Sequence, residues 1–305
     1  MSTTSHPPPR PDRPLVVRIG REVTLIVAFY AVYSAVRNSF GSAAVDPARA
    51  LANAHVIIDI ERSIGLFFEQ SLQRLVIDAE WFIWALNVFY GSLHFVVTIG
   101  ALVWAFLRAP SAYRRWRNTL AVTTGLAIVG FSMFPVMPPR LLADCGPYGA
   151  CAGPAMVDTV AEFGGLWSFD SGAMESVSNQ YAAVPSLHMA WALWCALLLV
   201  PRITNRVGRA LLVAYPIVTF VAIVITANHF WLDAALGAAT LGIGYAVAMG
   251  GEYLLGRARS VRVPEADTVS FEGHPVLCDG GPAAGDDRAR RHADRRPVRC
   301  GGDTR

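Results

Sequence analysis

Apolar residues gather into six runs along the chain, at about 23–40, 81–107, 119–136, 186–200, 210–226 and 230–255. A helix rises 1.5 Å per residue, so about 20 apolar residues reach across the hydrocarbon core of a bilayer. Runs of this kind predict membrane-crossing helices. The first has a competing reading, because Ser42-Ala43-Ala44 behind it offers the small-x-small pattern of a signal-peptide cleavage site. Its length exceeds the apolar core of about 7 to 15 residues typical of such peptides, which favours a retained span. Between the first two runs, residues 41–79 mix charge with apolar positions, as in Ala54-His55-Val56-Ile57-Ile58-Asp59-Ile60-Glu61-Arg62. That mixture cannot span, and it predicts an amphipathic helix lying on the membrane surface.

The flanks read differently. Residues 1–21 are proline-rich and polar, and 260–305 are dominated by Gly, Asp, Arg and Pro, so both are expected to be disordered around a membrane domain over 22–259. The basic run of the tail either touches anionic lipid heads or is simply solvated. The predicted fold is therefore all-α: a polytopic membrane protein, a bundle of six transmembrane helices with one amphipathic surface helix after the first span.

Composition sharpens this picture. Hydrophobic residues make up 53% of the chain and charged ones 16%, against about 25% charged in soluble domains. All 26 basic residues are arginine, which excludes any chemistry that needs a lysine. Their placement argues for topology signals, and no nucleic-acid partner is expected. Clusters at 10–21, 108–117, 202–209 and 257–262 fall on one side of a six-span arrangement. The long connection 137–185, on the other side, holds Asp144, Asp158, Glu162, Asp170 and Glu175 but a single arginine. Basic residues favour cytoplasmic connections, so a multi-pass cell-membrane protein with both termini in the cytoplasm and the long connection outside is predicted.

The candidate chemistry lies at the outer ends of the runs. Arg140 closes the third run in Pro138-Pro139-Arg140. Ser186 and His188, in Val184-Pro185-Ser186-Leu187-His188, are expected in the opening turn of the fourth, where first-turn N–H groups and the helix dipole favour a bound phosphate. His229 and Asp233 open the sixth at i,i+4 spacing, which brings the carboxylate under the imidazole. An aspartate holding one ring nitrogen leaves the other free as nucleophile or base.

In the second run, Asn87, Tyr90, His94 and Thr98 form a polar strip at helical spacing. Such a strip serves either as interhelical hydrogen bonds or as substrate contact, and Asn87, Tyr90 and His94 are candidates for the latter. The five cysteines show no CxxC spacing. Cys145 and Cys151 fall in the outer connection, where they form a disulfide in an oxidising compartment or remain two thiols; Cys195 reads as core packing.

These motifs resemble the type 2 phosphatidic acid phosphatase (PAP2) superfamily, within it the branch of aureobasidin-resistance inositol phosphorylceramide synthases. The resemblance covers roughly residues 80–255. It implies that His229 attacks phosphorus, Asp233 orients its ring, His188 protonates the leaving oxygen, and Arg140 and Ser186 hold the phosphate. Three positions depart from the superfamily pattern: Met133 stands where a lysine is usual, Leu187 where a glycine is, and Ile223 where an arginine is. The implied activity is that of a lipid phosphatase or phosphotransferase acting on a phospholipid or polyprenyl phosphate at the extracytoplasmic face. Such two-step transfer through a histidine needs neither metal nor cofactor, and its partner is a membrane lipid substrate within the bilayer. Two rival readings are a transporter or scaffold with buried histidines and a zinc site built on His188, His229 and Asp233. The acceptor, the lipid and the oligomeric state are left open by the sequence.

Overall fold

The computed structural model describes residues 14–40, 45–143, 150–151, 153–166 and 180–261. Helices cover all six apolar runs. They are α1 (Leu15–Phe40), α2 (Pro47–Ser63), α3 (Glu69–Val76), α4 (Glu80–Val88), α5 (His94–Arg108), α6 (Pro110–Met133), α7 (Thr159–Phe163), α8 (Leu187–Leu199), α9 (Arg206–Ile225) and α10 (Trp231–Val261). A π-helical turn, Phe89–Leu93, joins α4 to α5. Among the described residues there is no strand, only an isolated parallel bridge between Val136 and Ala182. Of the flanks expected to be disordered, residues 1–13 and 262–305 lie outside the described residues, whereas 15–21 are helical as the start of α1 and 260–261 as the end of α10.

Among the described residues, three helices are long and apolar enough to cross a membrane: Glu80–Arg108, Arg206–Ile225 and Trp231–Leu255. Leu187–Arg202 is apolar but shorter. Leu211, Val213 and Ile217 on α9, and Ile243 and Val247 on α10, are exposed, which in water would be costly and in lipid is not. These apolar helices mark a membrane protein.

Helix ends follow local chemistry. Asp46 caps α2 through a bond from the Ala48 N–H, with Pro47 at the first position, where its missing N–H costs nothing. Asn205 caps α9 and starts it four residues before the apolar run. Pro110 likewise opens α6. As a result Arg114, Arg115 and Arg117 lie within the first turns of that helix, and the expected connection shrinks to Ala109.

Helix α8 packs against α5, α6 and α9, while α1 lies on α6 and α3 on α9. Trp194, Cys195 and Leu198 of α8 are wholly buried beside Ala101 and Ala105 of α5, so Cys195 does pack in a core. The interfaces close through small residues. A Cβ at Gly244 would sit 2.2 Å from Thr123 Oγ1, and one at Gly237 would sit 2.3 Å from the Ser186 carbonyl oxygen. Glycine is thus required for α10 to approach the start of α8.

The segment expected to form one surface helix is two helices, α2 and α3. On α2 the residues Ala50, Ala54, Ile57, Ile58 and Glu61 are buried, a single face at i,i+3 and i,i+4 spacing. It packs on Val136, Met137, Leu141, Leu142, Tyr181 and Phe230. Asn53 Nδ2 donates to the Pro135 carbonyl at 2.7 Å and the Met137 N–H to the Ala50 carbonyl at 3.1 Å. The chain after α6 is thereby held against α2.

Candidate active site

Backbone hydrogen bonds bring the three motifs together. The Arg140 N–H donates to the Ala227 carbonyl at 2.8 Å, and the Ser186 N–H donates to the Asp233 carbonyl at 3.0 Å. Ala227 adopts a positive φ of 54° and turns the chain from α9 into the segment before α10. There the N–H groups of Asn228 and His229 both return to the Ile223 carbonyl at 3.1 Å. Ile223 stands at the position of the superfamily's arginine and is fully buried, so it packs beneath this turn.

His229 is 4% exposed and Asp233 not at all. Asp233 Oδ2 lies 3.3 Å from His229 Nδ1 and accepts the Phe230 N–H at 2.9 Å. The carboxylate is fixed by the backbone first and orients the ring second, leaving His229 Nε2 for chemistry. The His188 ring meets His229 edge-on, with centroids 5.5 Å apart. Tyr90 stacks on His188 at 4.2 Å and meets His229 at 6.5 Å; His94 packs against His188 at 4.1 Å.

Tyr90 and His94 owe these positions to the π turn. In a regular helix the strip would continue straight; the π turn inserts an extra residue, as such turns do at many functional sites. His94 Nδ1 contacts the Tyr90 carbonyl at 3.2 Å. A further strip member, Asn87, points elsewhere. Its Nδ2 donates to the carbonyls of Thr159 and Gly164 at 2.8 Å each, and its Oδ1 accepts from Thr159 Oγ1. Asn87 therefore anchors α7 to α4.

Ser186 differs from its expected place. The helix begins at Leu187, and Ser186 is its N-cap, with Oγ accepting the Met189 N–H at 3.4 Å. Serine forms this cap readily because its oxygen replaces a missing helical carbonyl. Arg140 is 6% exposed. Its Nη1 donates to Asp158 Oδ2 at 2.5 Å and its Nη2 to Gln180 Oε1. Asp158 also caps α7 through its other oxygen, which accepts from the Val160 and Ala161 N–H groups. Cys151 is disulfide-bonded, and Cys145 lies outside the described residues.

Two site neighbours escaped the sequence reading. Glu61 of α2 and Glu69 of α3 are fully buried and accept the Leu232 and Trp231 N–H groups at 3.1 and 3.0 Å. The signal for Glu61 was present: positions 50, 54, 57, 58 and 61 share one helical face, and the glutamate closes the apolar stripe. Burial drives the Glu61 carboxyl up to about 9, and the nearby charge of Glu69 adds to that shift.

A model of the PAP2 superfamily matches residues 55–247. The chain belongs to the PAP2 superfamily. The match contains every residue of the histidine and arginine cluster, together with Glu61 and Glu69, and membership points to phosphatase or phosphotransferase chemistry on lipids. Among curated proteins and solved structures no match is found.

Proposed function

We propose that the chain is an integral membrane lipid phosphatase or phosphotransferase that works through a phosphohistidine on His229. The observation that carries this reading is the buried His229–Asp233 pair, with Nδ1 committed to the carboxylate and His188 facing the same ring. In the first step His229 Nε2 attacks phosphorus and the bond to the lipid oxygen breaks. His188 donates its proton to that oxygen. In the second step a hydroxyl attacks the phosphohistidine, His188 takes the hydroxyl proton, and the P–N bond breaks. Water as acceptor yields a phosphatase. A polyol or sugar as acceptor yields a transferase. Arg140 neutralises the phosphoryl oxygens, and Ser186 orients the α8 N-terminus toward them. Tyr90 and His94 border the same space as substrate contacts.

We further propose six crossings, with α2 and α3 at the outer membrane surface, both termini cytoplasmic, a Cys145–Cys151 disulfide, and the site on the extracytoplasmic face. The arginine asymmetry supports that orientation. The test is rapid acid or base quench of purified protein with 32P-labelled lipid phosphate. A base-stable, acid-labile phosphoenzyme is expected in the wild type and none in His229→Ala. An undiminished phosphoenzyme in that variant would sink the assignment. Sealed right-side-out vesicles should turn over an impermeant short-chain lipid phosphate without detergent; activity that emerges only on lysis would reverse the face.

A further inference from the structure

Three consecutive N–H groups at the start of α10 each donate to a carboxylate from a different element. Phe230 donates to Asp233 Oδ2 at 2.9 Å, Trp231 to Glu69 Oε1 at 3.0 Å, and Leu232 to Glu61 Oε1 at 3.1 Å. Glu69 Oε2 also accepts the Phe68 N–H at 3.0 Å. A helix N-terminus is ordinarily capped by one side chain. Here three carboxylates converge, and Glu61, Glu69 and Asp233 are all 0% exposed.

Three buried negative charges gathered on consecutive N–H groups of one helix start would repel strongly in a medium of low dielectric. The cations that could compensate are few. Among the described residues neither Glu61 nor Glu69 forms an ion pair, and the basic partner of Asp233 is His229. The neighbouring Arg62 turns away and lies over the Phe67 ring at 5.0 Å. Glu61 Oε2 and Asp233 Oδ1 are buried without a hydrogen-bond partner. A bound cation would face three N–H groups and the positive end of the helix dipole, so a proton is the better compensator.

We propose that Glu61 and Glu69 are a positioning pair for the nucleophile: sharing one proton, they hold the first turn of α10, and with it Asp233, beneath His229. The proton lets one carboxyl donate to the other. It also leaves a single net charge on the pair, as in other closely coupled carboxylates. The pair ties α2 and α3 to the nucleophile, so these two helices are part of the catalytic framework. The groups that face Glu61 are Glu69 from α3, and Asp233 with the Leu232 N–H from α10.

The elevated Glu61 carboxyl gives the pH window and its sign. Glu61 holds its proton more tightly in the folded chain than at its ordinary value of 4.5, and releases it at about 9. The stability that this proton provides is full below about 4.5 and is lost as pH rises through about 9. Glu61→Gln should mimic the protonated acid, since its Oε1 still accepts from Leu232 and its Nε2 donates to Glu69.

This inference rests on the histidine mechanism, and the experiment separates the two. The pH dependence of kcat, KM and thermal unfolding is measured for wild type, Glu61→Gln and Glu61→Ala in the same detergent. The wild type should lose kcat and unfolding temperature together as pH passes about 9. Glu61→Gln should keep kcat within about threefold at pH 7 and hold its activity and unfolding temperature further into the alkaline range. Glu61→Ala should lose kcat at least about tenfold at every pH with a smaller change in KM, because Leu232 then lacks its acceptor and Glu69 its proton donor. A Glu61→Gln chain as damaged as Glu61→Ala, or one that fails to fold, would overturn the shared proton. So would an alkaline limb unchanged in Glu61→Gln. If the wild type forms no phosphohistidine, the proposed mechanism fails, yet unfolding against pH still decides the fate of the pair.

Discussion

The two halves of the site are built in opposite ways. The histidine half lies at two helix starts: His188 in the first turn of α8, Asp233 in the first turn of α10 and His229 in the bend just before it, with a close contact at Gly237 and the Ser186–Asp233 backbone bond between them. Its polar groups reach one another and are already in working order. The arginine half lies on irregular chain, in a single 3-10 turn, Pro139–Leu141, and its guanidinium is taken by Asp158 and Gln180. The proposed nucleophile is thus held in place by its own helix start, whereas the proposed phosphate-binding cation is already paired with an internal carboxylate. A phosphate must share or displace that partner. Binding and chemistry are therefore expected to respond to different residues, and substitutions on the two sides can separate them.

After the loss of His229 itself, the largest effect is expected at His188. General-acid assistance is worth about 10² to 10⁴ in rate, so His188→Ala should lose about that much on alkyl phosphate esters, whose leaving oxygen is strongly basic. A nitrophenyl phosphate leaves without a proton and should be partly spared. Equal damage on both substrates would remove His188 from the role of acid and make its contacts with Tyr90 and His94 purely structural.

Arg140→Lys should come next. A lysine keeps the charge but loses the planar fork that engages two oxygens at once. Loss of one such stabilising donor lowers kcat by about 10² to 10³, and the same is expected here, with the phosphohistidine still detectable at long times. Near wild-type turnover in Arg140→Lys would show that this half contributes charge alone.

How far the sequence predicts these two halves follows from what each is made of. The histidine half was legible because its residues sit at helical spacing within apolar runs, where periodicity dictates which groups meet. His229 and Asp233 needed only the i,i+4 rule. The π turn was not legible, since no periodic pattern marks the extra residue that swings Tyr90 and His94 onto His188. Nor was the commitment of Asn87 to α7, which depends on where a distant loop passes. Glu61 was readable in principle from its place on the α2 stripe, but a charged residue in a mixed segment is ordinarily solvated. The partners of Arg140 were beyond reach, because Asp158 and Gln180 lie 18 and 40 residues along the chain, at a separation where no helical period dictates which groups meet.

The smallest effect, and the one that bears most directly on the occupied arginine, is expected at Asp158. One of its oxygens caps α7 and the other holds Arg140. Asp158→Asn retains an oxygen for the Val160 and Ala161 N–H groups, so α7 should keep its start. What it removes is the negative charge that competes with phosphate. The Asp158 side chain is 16% exposed, so solvent screens the pair in part, and an ion pair of this kind contributes about 1 kcal/mol. Removing that competition should lower KM for the lipid phosphate, and the inhibition constant of inorganic phosphate with it, by about two- to fivefold. Turnover should change little, since Asp158 touches neither histidine. The measurement is a paired set of KM and phosphate-inhibition constants for wild type and Asp158→Asn. An unchanged inhibition constant would mean that phosphate binds without disturbing the Asp158 contact. A KM that rises would mean that the carboxylate holds Arg140 in its binding geometry, and the two halves of the site would then be preorganised alike.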